Sequence, residues 1–350
     1  MLQATDGGNS LALKVLEPLA AYYAHDDVEE VVMNRPEEIW VKKRRSPWVR
    51  LDAPELTYDY VAKRVCRVLA NINRARFDPH TMPVVSCELP GLPFRFQAVV
   101  GSSVSYELQD RQGLALAIRS LIADTSISMD TFVPRGVDLP GLQRLFDAIP
   151  ASMEHVEKIK RAIDRGMSIL VSGATSTGKT TFLNQVIRMI EDDSRIITVE
   201  DARELTVPQP NRVHFKVARN AGTTSFDYNA CLDAIVRLTP DYVICGEVSV
   251  KNAASIYSVS GKGHPVLSTV HASTPDEALR AFVNNMAAAG STLEPTSTLE
   301  TLRQQIGCII QLDRHGPEKR RQVVDITFPA LAYQQRVAQE AGSEQEDAGQ

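Results

Sequence analysis

The fold of this chain is decided by SILVSGATSTGKTTFLNQVI, residues 168–187. The apolar run Ser168–Ser172 predicts a buried strand, and the apolar spacing over Thr181–Ile190 predicts a helix. Between them, Gly173–Thr180 matches the pattern G-x-x-x-x-G-K-[ST]. A strand, a glycine-containing loop and a helix in this order are typical of a loop that holds nucleotide phosphates. A chance match in a turn rich in Gly, Ser and Thr is the alternative, and the flanking strand and helix argue against it.

The residue types of this loop suit the binding of a nucleoside triphosphate. Glycines let several backbone N–H groups point at one phosphate, and the helix N-terminus adds positive potential there. Lys179 supplies a cation for the β and γ phosphates, and Thr180 offers a hydroxyl to a magnesium ion. We therefore predict ATP and Mg²⁺ as cofactors. The predicted nucleotide-binding residues of the loop are Gly173, Ala174, Thr175, Ser176, Thr177, Gly178, Lys179, Thr180 and Thr181.

Three further polar residues end predicted strands downstream of the loop. Glu200 and Glu247 each end one strand, and His271 ends another. Strands alternate with helices from about residue 150, which predicts a parallel sheet, and such a sheet binds its ligands at the carboxyl ends of its strands. The loop and the three strand ends together predict a RecA-like nucleotide site. Ordinary exposed acids and a structural histidine are the alternatives at these positions.

Composition and charge limit the class of protein. The chain has 350 residues, enough for two domains that each bury a core. Its hydrophobic fraction of 43% and charged fraction of 23% are those of a soluble globular protein. A net charge of −5 gives no general attraction for nucleic acid, and no apolar stretch reaches the roughly 18 residues of a membrane span. The five cysteines are scattered without a C-x-x-C pair, which argues against structural zinc and a disulfide framework and favours a reducing cytoplasm.

The predicted fold class is α/β, in which a RecA-like P-loop motor domain with a parallel-type sheet follows a smaller α+β domain. The α+β domain is predicted over residues 1–122, a linker over 123–149 and the motor domain over 150–335. The tail over 336–350 is rich in Glu, Gln, Ala and Gly and is predicted to be disordered. In the first domain, helices are predicted over Leu11–His25 and Thr57–Asn73, and strands over Glu30–Asn34, Ile39–Lys43, Trp48–Leu51, Val84–Leu89, Phe94–Val100 and Leu114–Ile118.

The order of these motifs resembles the secretion ATPase superfamily, and most closely the traffic ATPases of VirB-type type IV secretion systems. The phosphate loop is followed by an acidic box around Ile197–Asp201, a Walker B strand from Pro240 to Glu247 and a histidine box over Gly263–Ala272. The N-terminal half resembles the family in Glu29–Val41, Leu89–Gly91, Arg95–Gln97 and Leu116–Arg119. The resemblance covers roughly residues 12 to 330.

The resemblance implies a homo-hexameric ATPase that energises pilus assembly or substrate transfer, together with other inner-membrane and cytoplasmic components of a secretion machine. In this family, nucleotide is held between the N-terminal and motor domains. Arginines of the N-terminal domain reach the phosphates, and Arg95 and Arg119 fall on those positions. Surface arginines with no such role are the alternative.

The resemblance also implies a role for each predicted catalytic residue. It assigns Glu200 as the residue that orients the attacking water and Glu247 as the Walker B acid near magnesium. It assigns His271 as a sensor of the γ-phosphate, and Lys179 contacts the phosphates. Thr180 and Glu247 are the predicted metal ligands.

The chain departs from the family pattern at four positions. Ser176 replaces a glycine of the loop, so a residue with a side chain must adopt a tight backbone angle. Ser249, Asp233 and Thr239 stand where the family tends to have arginine, and an arginine finger can raise the rate about 10³-fold or more. Arg237 remains, and Arg95, Arg119, Arg203 and Arg219 are candidates to substitute.

These departures leave other functions open. A type IV pilus or type II secretion ATPase is one alternative, disfavoured because no tetracysteine zinc module is present. A nucleotide-binding ring subunit with weak hydrolysis is another. A RecA-like nucleic-acid motor is disfavoured by the acidic charge and by an aromatic content of 6%. We expect no direct nucleic-acid binding.

The expected location is the cytoplasm, with peripheral contact at the inner membrane as an option. The amphipathic helix Leu11–His25 and the basic run Lys42–Arg45 could lie on an anionic surface. A solvated hairpin is the alternative account of the basic run.

Overall fold

The computed structural model describes residues 7–107, 113–122, 154–217, 226–315, 320–333 and 335–336. The linker predicted over 123–149 lies outside these residues, as does the predicted tail apart from Arg336.

The chain divides into two compact units. The first comprises Met1–Ile127, Asp192–Arg203 and Pro208–Asp241, and the second comprises Ser128–Glu191, Glu204–Val207 and Tyr242–Gln350. Two segments of the predicted motor domain thus group with the N-terminal part of the chain, and the domain boundaries drawn from the sequence stay a prediction.

A six-stranded sheet forms a large part of the first unit. Its strands are β1 (Val28–Met33), β2 (Glu38–Lys43), β3 (Trp48–Asp52), β4 (Val84–Glu88), β5 (Phe94–Gly101) and β7 (Gly113–Ser120). Their order is β3-β2-β1-β7-β5-β4, and all neighbours are antiparallel. The six strands were predicted to within two residues at each end.

Two helices share the hydrophobic core of this sheet. Helix α1 spans Gly7–Tyr23, and helix α2 begins with π-helical turns over Asp59–Cys66 and continues as α-helix over Arg67–Ile72. The apolar spacing predicts the second helix but not its π-helical start, because its buried residues stay on one face in either geometry. The largest fully buried side chains of this core include Leu16, Leu19, Met33, Leu69 and Phe96.

The later segments of the first unit add two short strands and a helix. Strands β9 (Ile196–Glu200) and β10 (Arg212–Lys216) are parallel, and β6 (Val104–Ser105) of the first segment pairs antiparallel with β10. Helix α5 spans Tyr228–Val236 and is capped by the preceding residue, Asp227, whose carboxylate accepts a hydrogen bond from the Ala230 N–H.

The second unit is built on a mostly parallel sheet. Its strands are β8 (Ser168–Gly173), β11 (Tyr242–Cys245), β12 (Val266–Val270), β13 (Ile306–His315) and β14 (Arg320–Thr327). Their order is β14-β13-β8-β12-β11, with β14 antiparallel to β13 and the others parallel.

All residues of β8, β11 and β12 are buried, as expected of parallel strands covered on both faces. The α/β class predicted from the sequence is therefore confirmed. The helices of this unit are α3 (Glu154–Asp164), α4 (Lys179–Ile187), α6 (Ala253–Gly261), α7 (Pro275–Ala288) and α8 (Pro295–Gln305). Within the described ranges, every helix is too short or too polar to cross a membrane.

Candidate active site

The predicted phosphate loop runs from the end of β8 to the start of α4. Gly173 is required because a Cβ there would lie 2.6 Å from Thr177 Oγ1 and 2.8 Å from the carbonyl oxygen of Leu312. Gly178 has a φ of +93°, in the left-handed region that favours glycine. The two glycines of the sequence pattern thus meet two different physical needs, a close approach and a backbone angle.

Ser176 adopts a left-handed backbone angle, with a φ of +64°. The tight angle predicted for this residue, which replaces a family glycine, is therefore confirmed. Arg314 of β13 donates a hydrogen bond from its guanidinium to the Ser176 carbonyl oxygen. This bond links the strained turn to the neighbouring strand.

Lys179 is the first residue of α4, and its side chain folds back over the loop. It is only 7% exposed, and its Nζ donates to the carbonyl oxygens of Gly173 and Ala174, each over 3.0 Å. Burial lowers the pKa of this ammonium, and the nearby Glu247 carboxylate acts in the opposite direction. A desolvated cation with exchangeable carbonyl partners suits a phosphate ligand.

The backbone at the start of α4 is also free of a side-chain cap. Gly178 occupies the cap position, and a glycine has no side chain that could accept a hydrogen bond from this helix end. The first N–H groups of a helix have no partner within the helix, and they favour an anion. The loop therefore offers backbone donors and the Lys179 ammonium to an anion.

His271 and Glu247 lie beside Lys179. The Lys179 Nζ is 3.1 Å from His271 Nδ1, and His271 Nε2 is 3.4 Å from Glu247 Oε1. Both residues follow a strand, since His271 comes directly after β12 and Glu247 two residues after β11. Asn252 holds the Glu247 segment by donating its amide to the Glu247 carbonyl oxygen over 2.8 Å. The structure thus brings together three of the four predicted catalytic residues.

The remaining predicted residues lie in the first unit. Glu200 ends β9 and is 5% exposed. Arg95 of β5 and Arg119 of β7 are directly opposite each other in the antiparallel register, and both are exposed. Two exposed cations side by side on a sheet would suit an anionic ligand.

The described residues contain no cluster of three or more His, Cys, Asp or Glu side chains that could hold a metal ion by themselves. Magnesium is commonly held by one or two protein groups together with substrate phosphates. The assignment of Thr180 and Glu247 as metal ligands fits that pattern and stays a prediction.

The positions without the family's arginines have other partners. Thr239 donates to Glu30, Asp233 lies 3.9 Å from Arg237, and the Ser249 N–H donates to Asn252. Of the candidate substitutes, Arg237 donates to Ser86, Arg203 donates to Ser105 and Tyr106, and Arg219 lies outside the described residues.

Sequence reasoning missed two arginines at the loop. Arg314 contacts Ser176, and the side chain of Arg321 lies over Gly178, where an added Cβ would be 2.9 Å from Arg321 Cδ. Both belong to the hairpin of β13 and β14, which pairing between β13 and β8 places beside the loop. A pattern search along the chain cannot detect them, because they lie more than a hundred residues after the loop and follow no motif.

Comparison with known proteins identifies the family. Residues 120–347 match the family described as Type II/IV secretion system protein. This chain belongs to that family. Membership supports the prediction of nucleotide binding at the loop.

Individual relatives indicate the branch of the family to which the chain is most similar. The chain is 27% identical to the type IV secretion system protein VirB11 of Bartonella henselae, over 87% of this chain and 90% of the relative. It is 29% identical to the PtlH homolog of Bordetella bronchiseptica, also described as a type IV secretion system protein, over 89% and 94%.

The fold has a solved counterpart. The crystal structure of the VirB11 ATPase from the Brucella suis type IV secretion system, in complex with sulphate, superposes with a TM-score of 0.78 at 20% identity. The match covers 93% of this chain and 98% of the other. It confirms the predicted fold class. The family match and the relatives place the chain among the type IV secretion ATPases of the VirB11 branch.

Proposed function

We propose that this chain hydrolyses ATP at residues 173–181 and works as a homo-hexameric ring that drives pilus assembly or substrate transfer in a type IV secretion machine. The observation that carries the proposal is the position of Lys179. Its ammonium is buried over the loop, 3.1 Å from His271, which in turn lies 3.4 Å from Glu247. Phosphoryl transfer needs a cation, a hydrogen-bonding ring and a carboxylate close together, and these three side chains are in successive contact.

MgATP, when bound, would supply the transferable phosphoryl group and a metal that neutralises its charge. Lys179 then exchanges its bonds to the Gly173 and Ala174 carbonyl oxygens for phosphate oxygens. The uncapped N–H groups at the start of α4 add donors. Thr180 and Glu247 would hold the magnesium ion. His271 would lose its Lys179 neighbour in the exchange, which would let it act as a sensor of the phosphate.

Glu200 is proposed to orient the attacking water. It is buried at the end of β9, next to Asp201, and a carboxylate acts on a water molecule when it is correctly placed within hydrogen-bond reach. Arg95 and Arg119 are proposed to contact the phosphates, since they form an exposed pair of cations on neighbouring strands.

The proposed setting follows from the relatives, which are described as type IV secretion system proteins. We place the ring at the cytoplasmic face of the inner membrane, in contact with other inner-membrane and cytoplasmic components of the machine. Peripheral membrane contact is proposed, and direct nucleic-acid binding is not.

A ring subunit with weak hydrolysis is the second candidate. It is favoured by the absence of arginine at Asp233, Thr239 and Ser249, whose described partners are Arg237, Glu30 and Asn252. The two candidates bind the same nucleotide and differ in turnover.

The deciding experiment measures phosphate release and the mass in solution for the wild type, Lys179→Ala and Glu200→Gln. We expect a nucleotide-stabilised hexamer with magnesium-dependent turnover that both variants lose. Glu191→Gln, which changes an exposed acid outside the acidic box, is the matched control and should keep its turnover. If the wild type binds ATP and forms rings but releases no more phosphate than Lys179→Ala, the weakly hydrolysing ring is the correct function.

A further inference from the structure

A cavity of about 340 Å³ lies within the first unit. Strands β4 and β5 line one side of it and helix α5 lines another. Its volume falls in the range of small-molecule sites, which begins at about 300 Å³. None of its lining residues belongs to the phosphate loop or is Glu247 or His271.

Gln97 marks this cavity as a binding site. The side chain lines the cavity and is 1% exposed, and neither its Oε1 nor its Nε2 has a hydrogen-bond partner among the described residues. Buried polar atoms in native proteins are nearly always paired, because an unpaired amide loses its bonds to water without replacement. The Gln97 amide therefore requires a partner that both donates and accepts.

The walls of the cavity indicate the shape of that partner. Phe226 and Ala234 are buried, and Val84 and Met82 are partly buried, so the surfaces near Gln97 are mainly apolar. A flat ring with apolar faces and a polar edge meets both conditions. Adenine is a base that a glutamine amide pairs with through two hydrogen bonds, to N6 and N7.

The mouth of the cavity carries positive charge. Arg76 and Arg237 are exposed lining residues, and Arg237 also donates to Ser86 over 3.1 Å and lies 3.9 Å from the Asp233 carboxylate. Guanidinium groups bind phosphate through paired N–H donors. A base at the buried end and a phosphate at the exposed end describe a nucleotide.

We propose that this cavity binds an adenine nucleotide, with the base paired to Gln97 and the phosphate at Arg76 and Arg237. It would be a second nucleotide site, built only from the first unit and apart from the residues of the phosphate loop. A single phosphate satisfies the two arginines, so AMP is a suitable probe.

Titration calorimetry with AMP on the full chain tests this site. AMP should bind the wild type and Lys179→Ala equally, and Gln97→Leu should weaken binding at least tenfold. Gln305→Leu is the matched control, because Gln305 in α8 also has an unpaired buried Oε1 but lies outside the cavity. It should leave AMP binding unchanged. GMP should bind at least tenfold more weakly than AMP.

Folding and base recognition are checked separately. Gln97→Leu should melt no lower than the wild type, since an apolar side chain of similar size replaces an unpaired amide. Arg76→Ala changes only an exposed side chain, so it should weaken the binding of AMP while leaving that of adenosine unchanged. The proposal is overturned if AMP does not bind by about 10 mM, a concentration that corresponds to very weak affinity. It is equally overturned if Lys179→Ala abolishes binding while Gln97→Leu keeps it, or if inorganic phosphate binds as well as AMP.

Discussion

Thr239 donates a hydrogen bond from its Oγ1 to Glu30 Oε1 over 2.5 Å, which joins the segment after α5 to strand β1. Thr239 has a φ of +49°, so a β-branched residue holds a left-handed angle to make this bond. Glu30 is 6% exposed. Its burial raises the pKa of the carboxyl from 4.5 to about 7, although the Thr239 hydroxyl and the charge of Arg195 act in the opposite direction.

The raised pKa of Glu30 predicts a pH dependence of stability. Between pH 4.5 and about 7 the folded state binds more protons than the unfolded state, so the free energy of unfolding falls as the pH rises through this range. Glu30→Gln removes the charge and keeps an acceptor for Thr239. We expect it to stabilise the protein at pH 8, by up to about 3 kcal/mol, and to have little effect near pH 4.5.

Denaturant unfolding at several pH values measures this effect. Glu29→Gln is the control, because Glu29 is the exposed neighbour on the same strand. An equal gain in stability for Glu30→Gln at pH 4.5 and pH 8 would show that ionisation of Glu30 is not the cause.

His271 is expected to matter for turnover more than for binding. His271→Ala removes the ring between Lys179 and Glu247 but leaves the loop donors in place. We expect turnover to fall about 100-fold, the effect of losing one hydrogen-bonding group at a reacting centre, with ATP affinity changed only a few-fold. His264→Ala, two residues before the start of β12, is the control in a steady-state assay of phosphate release. A normal rate in His271→Ala would exclude the sensor role.

Arg314 is expected to support nucleotide binding through the loop. Its guanidinium holds the Ser176 carbonyl oxygen, so Arg314→Ala should loosen the turn and weaken nucleotide affinity about tenfold, roughly the effect of one charge-assisted hydrogen bond. Arg320→Ala, an exposed residue of β14, should change the affinity little. Fluorescence titration with a labelled ADP compares the two variants. Equal affinities in both would mean that Arg314 does not act on the loop.

Ser176→Gly should stabilise the folded protein. A non-glycine residue in the left-handed region is strained by roughly 1 kcal/mol, and glycine adopts this angle readily. We expect the free energy of unfolding to rise by about 1 kcal/mol or slightly less, because glycine also gains entropy in the unfolded chain. Thr175→Gly, at an exposed neighbour outside the left-handed region, should instead destabilise. Thermal unfolding of both variants gives the comparison, and a lower midpoint for Ser176→Gly would contradict it.

The sequence predicted the loop and the strand ends because each depends on local pattern. Periodicity indicates strand and helix, and the glycine spacing indicates the turn, so Gly173 and Gly178 could be interpreted directly. The strained angle of Ser176 followed from the resemblance, since the family has a glycine at this position. The strands of the six-stranded sheet followed from alternation and from turn residues such as Pro90 and Gly91.

The rest depends on pairing between distant segments. Arg314 and Arg321 reach the loop only because β13 pairs with β8. The Thr239–Glu30 bond joins residues 209 positions apart. The unpaired amide of Gln97 is recognised only when β4, β5 and α5 are seen to line one cavity. Local propensity contains no information about contacts between distant segments, so sequence reasoning could not have found them.

The contact between Lys179 and His271 fixes where a hydrogen atom sits. An ammonium can only donate, so Nδ1 of His271 must present its lone pair to Lys179, and the ring proton is carried on Nε2, facing Glu247. The imidazole therefore has a donor end and an acceptor end that cannot be exchanged while Lys179 stays in place. Once the ammonium moves to a ligand, the constraint on Nδ1 is lifted and either tautomer becomes accessible. Whether a ligand occupies the loop therefore determines which tautomers His271 can adopt. The ¹⁵N chemical shifts of its ring nitrogens would report ligand binding even if the fold does not change.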